Sequence, residues 1–156
     1  MIGKFRKKAR EIALKTLYAY DLHKKEADIN ELLESIIADI RKELSPETLE
    51  YAYSIVNGVV EHLGEIDEII QKYLEDWRLE RLGSIERALL RLGTYELLFA
   101  NVPDKGRVFI DLLDLAKCYG LDDEALKFIN GVLSNIYKNE KVRKEDENSD
   151  NIGHPQ

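Results

Sequence analysis

Apolar residues recur every three to four positions along nearly the whole chain, which is the spacing of amphipathic helices. The first such segment runs from about Lys4 to His23, and six more follow it after short breaks. No segment shows the alternation of apolar and polar residues that is typical of a half-buried strand. The pattern predicts an all-helical fold of about seven helices, with helices one to three and four to seven forming two packed groups.

Local signals set the limits of the first predicted helices. Asp28 begins a capping box for the second helix, whose apolar pattern continues to Leu44. Ser45 followed by Pro46 is typical of a helix start, with Ser as the N-cap and Pro at the first helical position, and therefore begins the third helix. Gly64 is predicted to break or bend the chain between the third and fourth helices.

Similar signals continue towards the end of the chain. Ser84 is predicted to cap the fifth helix, residues 101–106 to form a loop, and Gly120 to end the sixth helix in a left-handed conformation. Residues 141–156 are polar and charged and have no apolar period, so they cannot bury enough surface to offset their ordering entropy. The sequence predicts one helical domain over residues 1–140 and a disordered charged tail over residues 141–156.

The last predicted helix contains Asn130-Gly131, a dipeptide that usually marks a hairpin turn. The apolar residues around it keep helical spacing, and the pair falls on or near the opposite side, so a helix is favoured. A mid-helix Gly costs about 1 kcal/mol relative to Ala. Its presence indicates that another backbone, a base or a phosphate approaches the helix there, although packing against a neighbouring helix would also explain it.

Composition restricts the class of protein. A chain of 156 residues suits one domain with a sizeable core. The single Cys118 excludes an internal disulfide framework, and no apolar run is long enough for a signal peptide or a membrane span. These features predict a soluble, cytoplasmic protein.

Charge is distributed unevenly along the sequence. The formal net charge is −7, yet residues 1–25 hold eight basic and two acidic residues, whereas residues 26–76 hold three basic and fourteen acidic residues. A protein polarised in this way can bind a polyanion at its basic end and repel it elsewhere. A solvated basic helix start without a function is the alternative.

The sequence contains no recognisable catalytic or metal-binding arrangement. His23, His62 and His154 are scattered, and Cys118 has no base near it in the sequence. No Gly-rich phosphate loop or nucleophile elbow occurs. We therefore expect a protein that is not an enzyme and that requires no metal and no cofactor.

Four segments, in order along the chain, resemble the NusB family of bacterial transcription antitermination factors. They are Arg6 to Glu11 followed by Ala13, Leu17 and Tyr18, then residues 82–97, 115–120 and 127–133. The resemblance implies an all-helical, non-catalytic protein with two three-helix groups and a short additional helix. It also implies pairing with NusE, a ribosomal small-subunit protein, and binding of single-stranded boxA RNA in nascent transcripts, which supports ribosomal-RNA synthesis.

Two sets of residues are predicted to bind RNA, and the resemblance implies a third set for the protein partner. The first helix would hold phosphates and the last helix would read bases, with Phe128 open to either a core role or base stacking. The candidates for RNA are Arg6, Lys7, Lys8, Arg10, Lys127, Phe128, Asn130 and Gly131. Those for NusE are Tyr18, Tyr73 and Glu86, although each tyrosine could instead close the edge of the core.

Several points stay open at the level of sequence. The family usually has Ile-Asn-Glu in the sixth helix, where this chain has Phe109-Ile110-Asp111. The resemblance also implies association with the transcription elongation complex and its other Nus factors. It leaves open whether the free protein forms a homodimer. An RNA-targeting module like the helical domain fused to some RNA methyltransferases, and a helical adaptor that binds only protein, are the alternatives.

Overall fold

The computed structural model describes residues 4–24 and 26–153, with side chains through Glu140. Seven α-helices account for most of these residues, and no strand occurs among them. The helices are α1 (Lys4–Leu22), α2 (Ile29–Ile37), α3 (Pro46–Glu61), α4 (Leu63–Leu74), α5 (Ser84–Leu98), α6 (Lys105–Cys118) and α7 (Asp123–Gly153). Short 3-10 turns lie at Arg41–Glu43 and Leu79–Arg81. The predicted all-helical fold of about seven helices is confirmed.

The helices pack in two groups, α1 to α3 and α4 to α7, and contacts of α1 and α3 with α5 join the two groups. Helices α1, α2 and α3 enclose a small core of Ala9, Ile12, Leu33, Ile37 and Ala52. Helices α4 to α7 surround a larger core in which α5 is central, since it contacts α4, α6 and α7. Because α1 and α3 also pack on α5, the two groups form a continuous body.

Three of the predicted local signals have the expected geometry. Asp28 Oδ1 accepts hydrogen bonds from the backbone of Asn30 at 2.8 Å and of Glu31 at 3.2 Å. Ser45 Oγ accepts one from the Thr48 amide at 3.1 Å. Gly120 has a φ of +86°, the left-handed conformation that a side chain disfavours.

Several predicted helix limits are wrong, including the predicted loop over residues 101–106, since α6 already begins at Lys105. Helix α2 ends at Ile37 and not at Leu44, since Leu44 is already extended at the approach to Ser45 and Pro46. Ser45, the residue before Pro46, is also extended, because a residue that precedes proline avoids the helical conformation, so no helix continues from Leu44 into α3. The break between α3 and α4 lies at His62, with φ −107° and ψ 16°, and Gly64 belongs to α4.

Helix α7 passes through Asn130 and Gly131 without interruption, so the helical interpretation of this pair is confirmed. Helix α7 also includes residues 141–153, whose side chains lie outside the described residues together with all of residues 154–156, so the predicted disorder of residues 141–156 stays a prediction. Within the described part of the chain, no helix is both long and apolar enough to cross a membrane.

Candidate nucleic-acid interface

The predicted phosphate contacts lie at the start of α1. Lys7 and Lys8 are exposed, and each forms a surface ion pair. Lys7 Nζ lies 3.2 Å from Asp114 Oδ2 on α6, and Lys8 Nζ lies 3.4 Å from Glu11 Oε1 on α1. Because exposed pairs contribute only about 0 to 1 kcal/mol, either ammonium group can exchange its carboxylate for a phosphate at little cost.

Arg10 does not lie on this surface, which corrects its prediction as a phosphate contact. Its side chain has 0% exposure and is paired on both sides. Nε and Nη2 donate to the two carboxylate oxygens of Glu96 at 2.7 and 3.0 Å, and Nη1 donates to Asp111 Oδ2 at 2.8 Å. The hydroxyl of Tyr51 also donates to Glu96. Arg10 is therefore the centre of a buried network that joins α1, α3, α5 and α6.

Two members of this network, Arg10 and Tyr51, have shifted pKa values. Burial, the largest influence, lowers the pKa of Arg10, but the hydrogen bonds and charge of Glu96, with Asp111, outweigh it and raise the pKa above its ordinary value. Burial and the nearby Glu96 raise the pKa of Tyr51. Arg10 therefore stays charged and Tyr51 stays protonated at every physiological pH.

Arg6 is placed differently from the other three basic residues. Its guanidinium carbon lies 4.7 Å from the ring centroid of Phe5 and 5.3 Å from that of Tyr51. Among the described residues, it forms no ion pair with a carboxylate. Its Nε is buried, so its two Nη groups are the donors that could meet a phosphate or a base edge.

Three residues of this site were missed at the level of sequence: Tyr51, Glu96 and Asp111. Glu96 offered a signal, since an acid within the apolar stretch of α5 is expected to be buried only with a partner. Tyr51 offered none, because an aromatic residue at helical spacing is most simply assigned to the core.

The sixth helix shows what replaces the family's usual Ile-Asn-Glu. Asp111 supplies the acidic group and accepts from Arg10, so this part of the pattern is kept with a shorter side chain. Ile110 takes the place of the Asn and is 48% exposed. It lies one helical turn from Asp114, the residue that pairs with Lys7, so an apolar side chain flanks the basic end of α1.

The predicted RNA residues of α7 divide between surface and core. Lys127, Asn130 and Gly131 are exposed, whereas Phe128 is partly buried and packs against the larger core. A Cβ atom added at Gly131 would meet nothing within 4 Å. Packing against a neighbouring helix therefore does not explain this glycine, and the space above it is open to a ligand.

The residues predicted to bind a protein partner lie around α5. Tyr18 lines a shallow cavity of about 270 Å³ with Lys15, Ile85 and Tyr119, and Glu86 follows Ile85 directly. Tyr18 and Ile85 therefore share this cavity, whereas Glu86 is not among its lining residues.

Tyr73 and Glu86 have intramolecular contacts that limit their motion. The hydroxyl of Tyr73 donates to Glu140 Oε2 at 2.6 Å, and its ring packs against the larger core, so the core-edge interpretation of Tyr73 is supported. Gly83, not Ser84 as predicted, occupies the N-cap of α5, and a Cβ there would clash with the carboxylate of Glu86. Glu86 is therefore folded back over the positive end of α5.

Ion pairs join the last turn of α1 to α5. Asp21 accepts from Arg87 Nη2 at 2.5 Å and from Arg91 Nη1 at 3.0 Å, and Arg91 also pairs with Asp67 of α4. Burial, the largest influence, raises the pKa of Asp21, but Arg87 and Arg91 together lower it below its ordinary value. Asp21 is thus ionised at neutral pH, and charge-assisted hydrogen bonds join α1 to α5.

No group of three or more His, Cys, Asp or Glu side chains that could hold a metal ion occurs among the described residues. Two packed helical groups, with a basic end on α1 and a separate surface that carries Tyr18, place the protein in the all-helical class. The chain belongs to the NusB family, whose family model matches residues 7–138.

Individual relatives agree with this assignment. A transcription antitermination protein NusB of Persephonella marina is 59% identical over 138 residues, covering 88% of this chain and 96% of the relative. The NusB of Aquifex aeolicus is 44% identical, covering 86% and 88%. A crystal structure of antitermination factors NusB and NusE in complex with dsRNA contains a similar chain with a TM-score of 0.79 and 42% identity, covering 88% of this chain and 98% of that one. The family consists of transcription antitermination proteins and not of enzymes.

Proposed function

We propose that this chain pairs with NusE and binds the boxA element of nascent RNA, and that it thereby supports transcription of ribosomal RNA. The observation that carries the proposal is the similarity to a chain in a solved complex of antitermination factors NusB and NusE with dsRNA, a match that covers 88% of this chain and 98% of that chain. Association with other Nus factors and a homodimer of the free protein stay predictions.

The parts of the RNA site on α1 and on α7 would have different roles in binding. Arg6, Lys7 and Lys8 at the start of α1 would hold phosphates, which fixes the position of the strand without reading its sequence. Asn130 on α7 carries both a donor and an acceptor, so it can bind a base edge. Helix α6 packs against both α1 and α7 and would lie beneath the strand between these two parts.

Replacing Gly131 with Ala is expected to raise the free energy of unfolding by about 1 kcal/mol, because the site is exposed and mid-helix. The same methyl group is expected to weaken binding of boxA RNA, since it fills the space into which the strand would fit. Urea unfolding and fluorescence anisotropy measure the two effects.

Gly64→Ala is the matched control, since Gly64 is also helical and exposed and has nothing within 4 Å of an added Cβ. It should leave RNA affinity unchanged. Full RNA affinity in the Gly131→Ala protein would remove this face of α7 from the site.

The partner half of the proposal is tested at Glu86. Glu86→Lys is expected to weaken NusE binding, because it places a positive charge opposite a basic ribosomal protein. Isothermal calorimetry with NusE measures the change, and Glu50→Lys, the reversal of an exposed acid on α3, is the control. RNA binding by the isolated protein should persist in both variants. Unaltered NusE affinity in Glu86→Lys would show that Glu86 lies outside the interface.

A further inference from the structure

Arg6 differs from Lys7, Lys8 and Arg10 in its contacts. Among the described residues, it lies over two aromatic rings and forms no ion pair with a carboxylate. The rings of Phe5 and Tyr51 meet edge to face, with centroids 6.0 Å apart and an interplanar angle of 87°. The Arg6 guanidinium lies over both rings. Its Nε is buried and has no hydrogen-bond partner among the described residues. Because a buried atom cannot be reached from solvent, an incoming acceptor would meet the two Nη groups, which form no hydrogen bond among the described residues.

The backbone and the hydroxyl group of Tyr51 are both fixed by other parts of the molecule. Its backbone belongs to α3, and its hydroxyl donates to Glu96, the carboxylate that also accepts two hydrogen bonds from Arg10. The Tyr51 ring also lies 5.9 Å from the guanidinium carbon of Arg10. One ring therefore connects the buried network to the exposed end of α1.

We infer that Tyr51 is a positioning residue for RNA, which holds the Arg6 guanidinium in the orientation that receives a phosphate or a base edge. A guanidinium that stacks on an aromatic face keeps its in-plane donors free. Ordering the side chain before RNA arrives removes part of the entropy cost of binding. The inference rests on the proposed function, since it assigns Tyr51 a role in the same RNA site.

A double-mutant cycle tests this role. Affinity for boxA RNA in the presence of NusE is measured by anisotropy for the wild type, Arg6→Ala, Tyr51→Leu and the double variant, with thermal melts of each protein. Tyr51→Leu is expected to weaken binding about two- to fivefold, the range that a cation–π contact supports. In the Arg6→Ala background, the same change should have no further effect, because Tyr51 acts through Arg6.

Tyr51→Phe separates positioning from stability. It keeps the ring under Arg6 and removes the hydroxyl bond to Glu96, so it should lower the melting temperature and leave RNA affinity within twofold of the wild type. A merely structural role predicts instead that affinity follows the melting temperature. If Tyr51→Leu does not fold, the Tyr51→Phe result still decides, since lost affinity there would overturn the inference.

The cycle also distinguishes failure of the inference from failure of the proposed function. Equal effects of Tyr51→Leu in the two backgrounds, or an Arg6→Ala protein with full affinity, would overturn the inference alone, provided that the wild type binds boxA RNA. A wild-type protein that binds no RNA would overturn the proposed function as well.

Discussion

Replacing Arg10 with Ala is expected to lower the free energy of unfolding by about 3 to 5 kcal/mol, the usual cost of removing one partner of a buried ion pair. Glu96 and Asp111 are 0% and 1% exposed, and both would lose the cation that compensates their burial. The penalty comes from the carboxylates left behind more than from the lost attraction. Urea unfolding at constant m-value measures the change.

A variant that removes the whole network tests this explanation. Combining Arg10→Met with Glu96→Gln and Asp111→Asn leaves no uncompensated charge, so it should be more stable than Arg10→Ala. Lys8→Ala, which breaks only an exposed pair, should change stability by less than about 1 kcal/mol. An Arg10→Ala protein as stable as Lys8→Ala would contradict the buried network.

Replacing Arg6, Lys7 and Lys8 together with Ala is expected to weaken RNA binding and to flatten its dependence on salt. Each phosphate contact to a single strand contributes about −0.7 to the slope of log K against log salt, so three contacts contribute about −2. Between 50 and 200 mM salt, wild-type affinity should therefore fall about 20-fold more than that of the variant. Arg10 is left in place, because it is buried and its loss would destabilise the fold.

A variant with the same change in charge isolates the role of position. Lys24, Arg41 and Lys42 are exposed and lie outside the start of α1, so their replacement with Ala removes three charges elsewhere. This control should lose little of the slope. If the salt slope falls equally in both triple variants, RNA binding depends on the net charge of the protein and not on the basic end of α1.

The sequence predicts the helices well because hydrophobic spacing and caps are local properties. It could not place Arg10, since one helical turn puts Arg6 and Arg10 on the same face and both are basic. The difference between them arises from Glu96 and Asp111, which lie 86 and 101 positions away in the chain. Only the packing of α5 and α6 against α1 brings these acids to Arg10.

For the glycine in α7, the local sequence pattern gives a signal that the packing of the helices does not explain. Its position within a helical pattern predicted a close approach at that surface. Nothing lies within 4 Å of an added Cβ, so a neighbouring helix is not the cause, and the approach of RNA stays a prediction. The role of Tyr51 had no sequence signal, because its contact with Arg6 depends on how α1 crosses α3. Helix ends such as that of α2 were misplaced because apolar spacing continues through the turn before Pro46.

The central claim is that this chain and NusE together recognise boxA RNA. The most direct test is a competition measurement, in which labelled boxA RNA bound to the chain–NusE mixture is displaced by unlabelled boxA or by a scrambled RNA of equal length. We expect NusE to strengthen binding, and the scrambled RNA to compete at least about tenfold more weakly, a factor that corresponds to about 1.4 kcal/mol. Equal competition by the two RNAs, or no RNA binding with NusE present, would contradict the account and favour a helical adaptor that binds only protein.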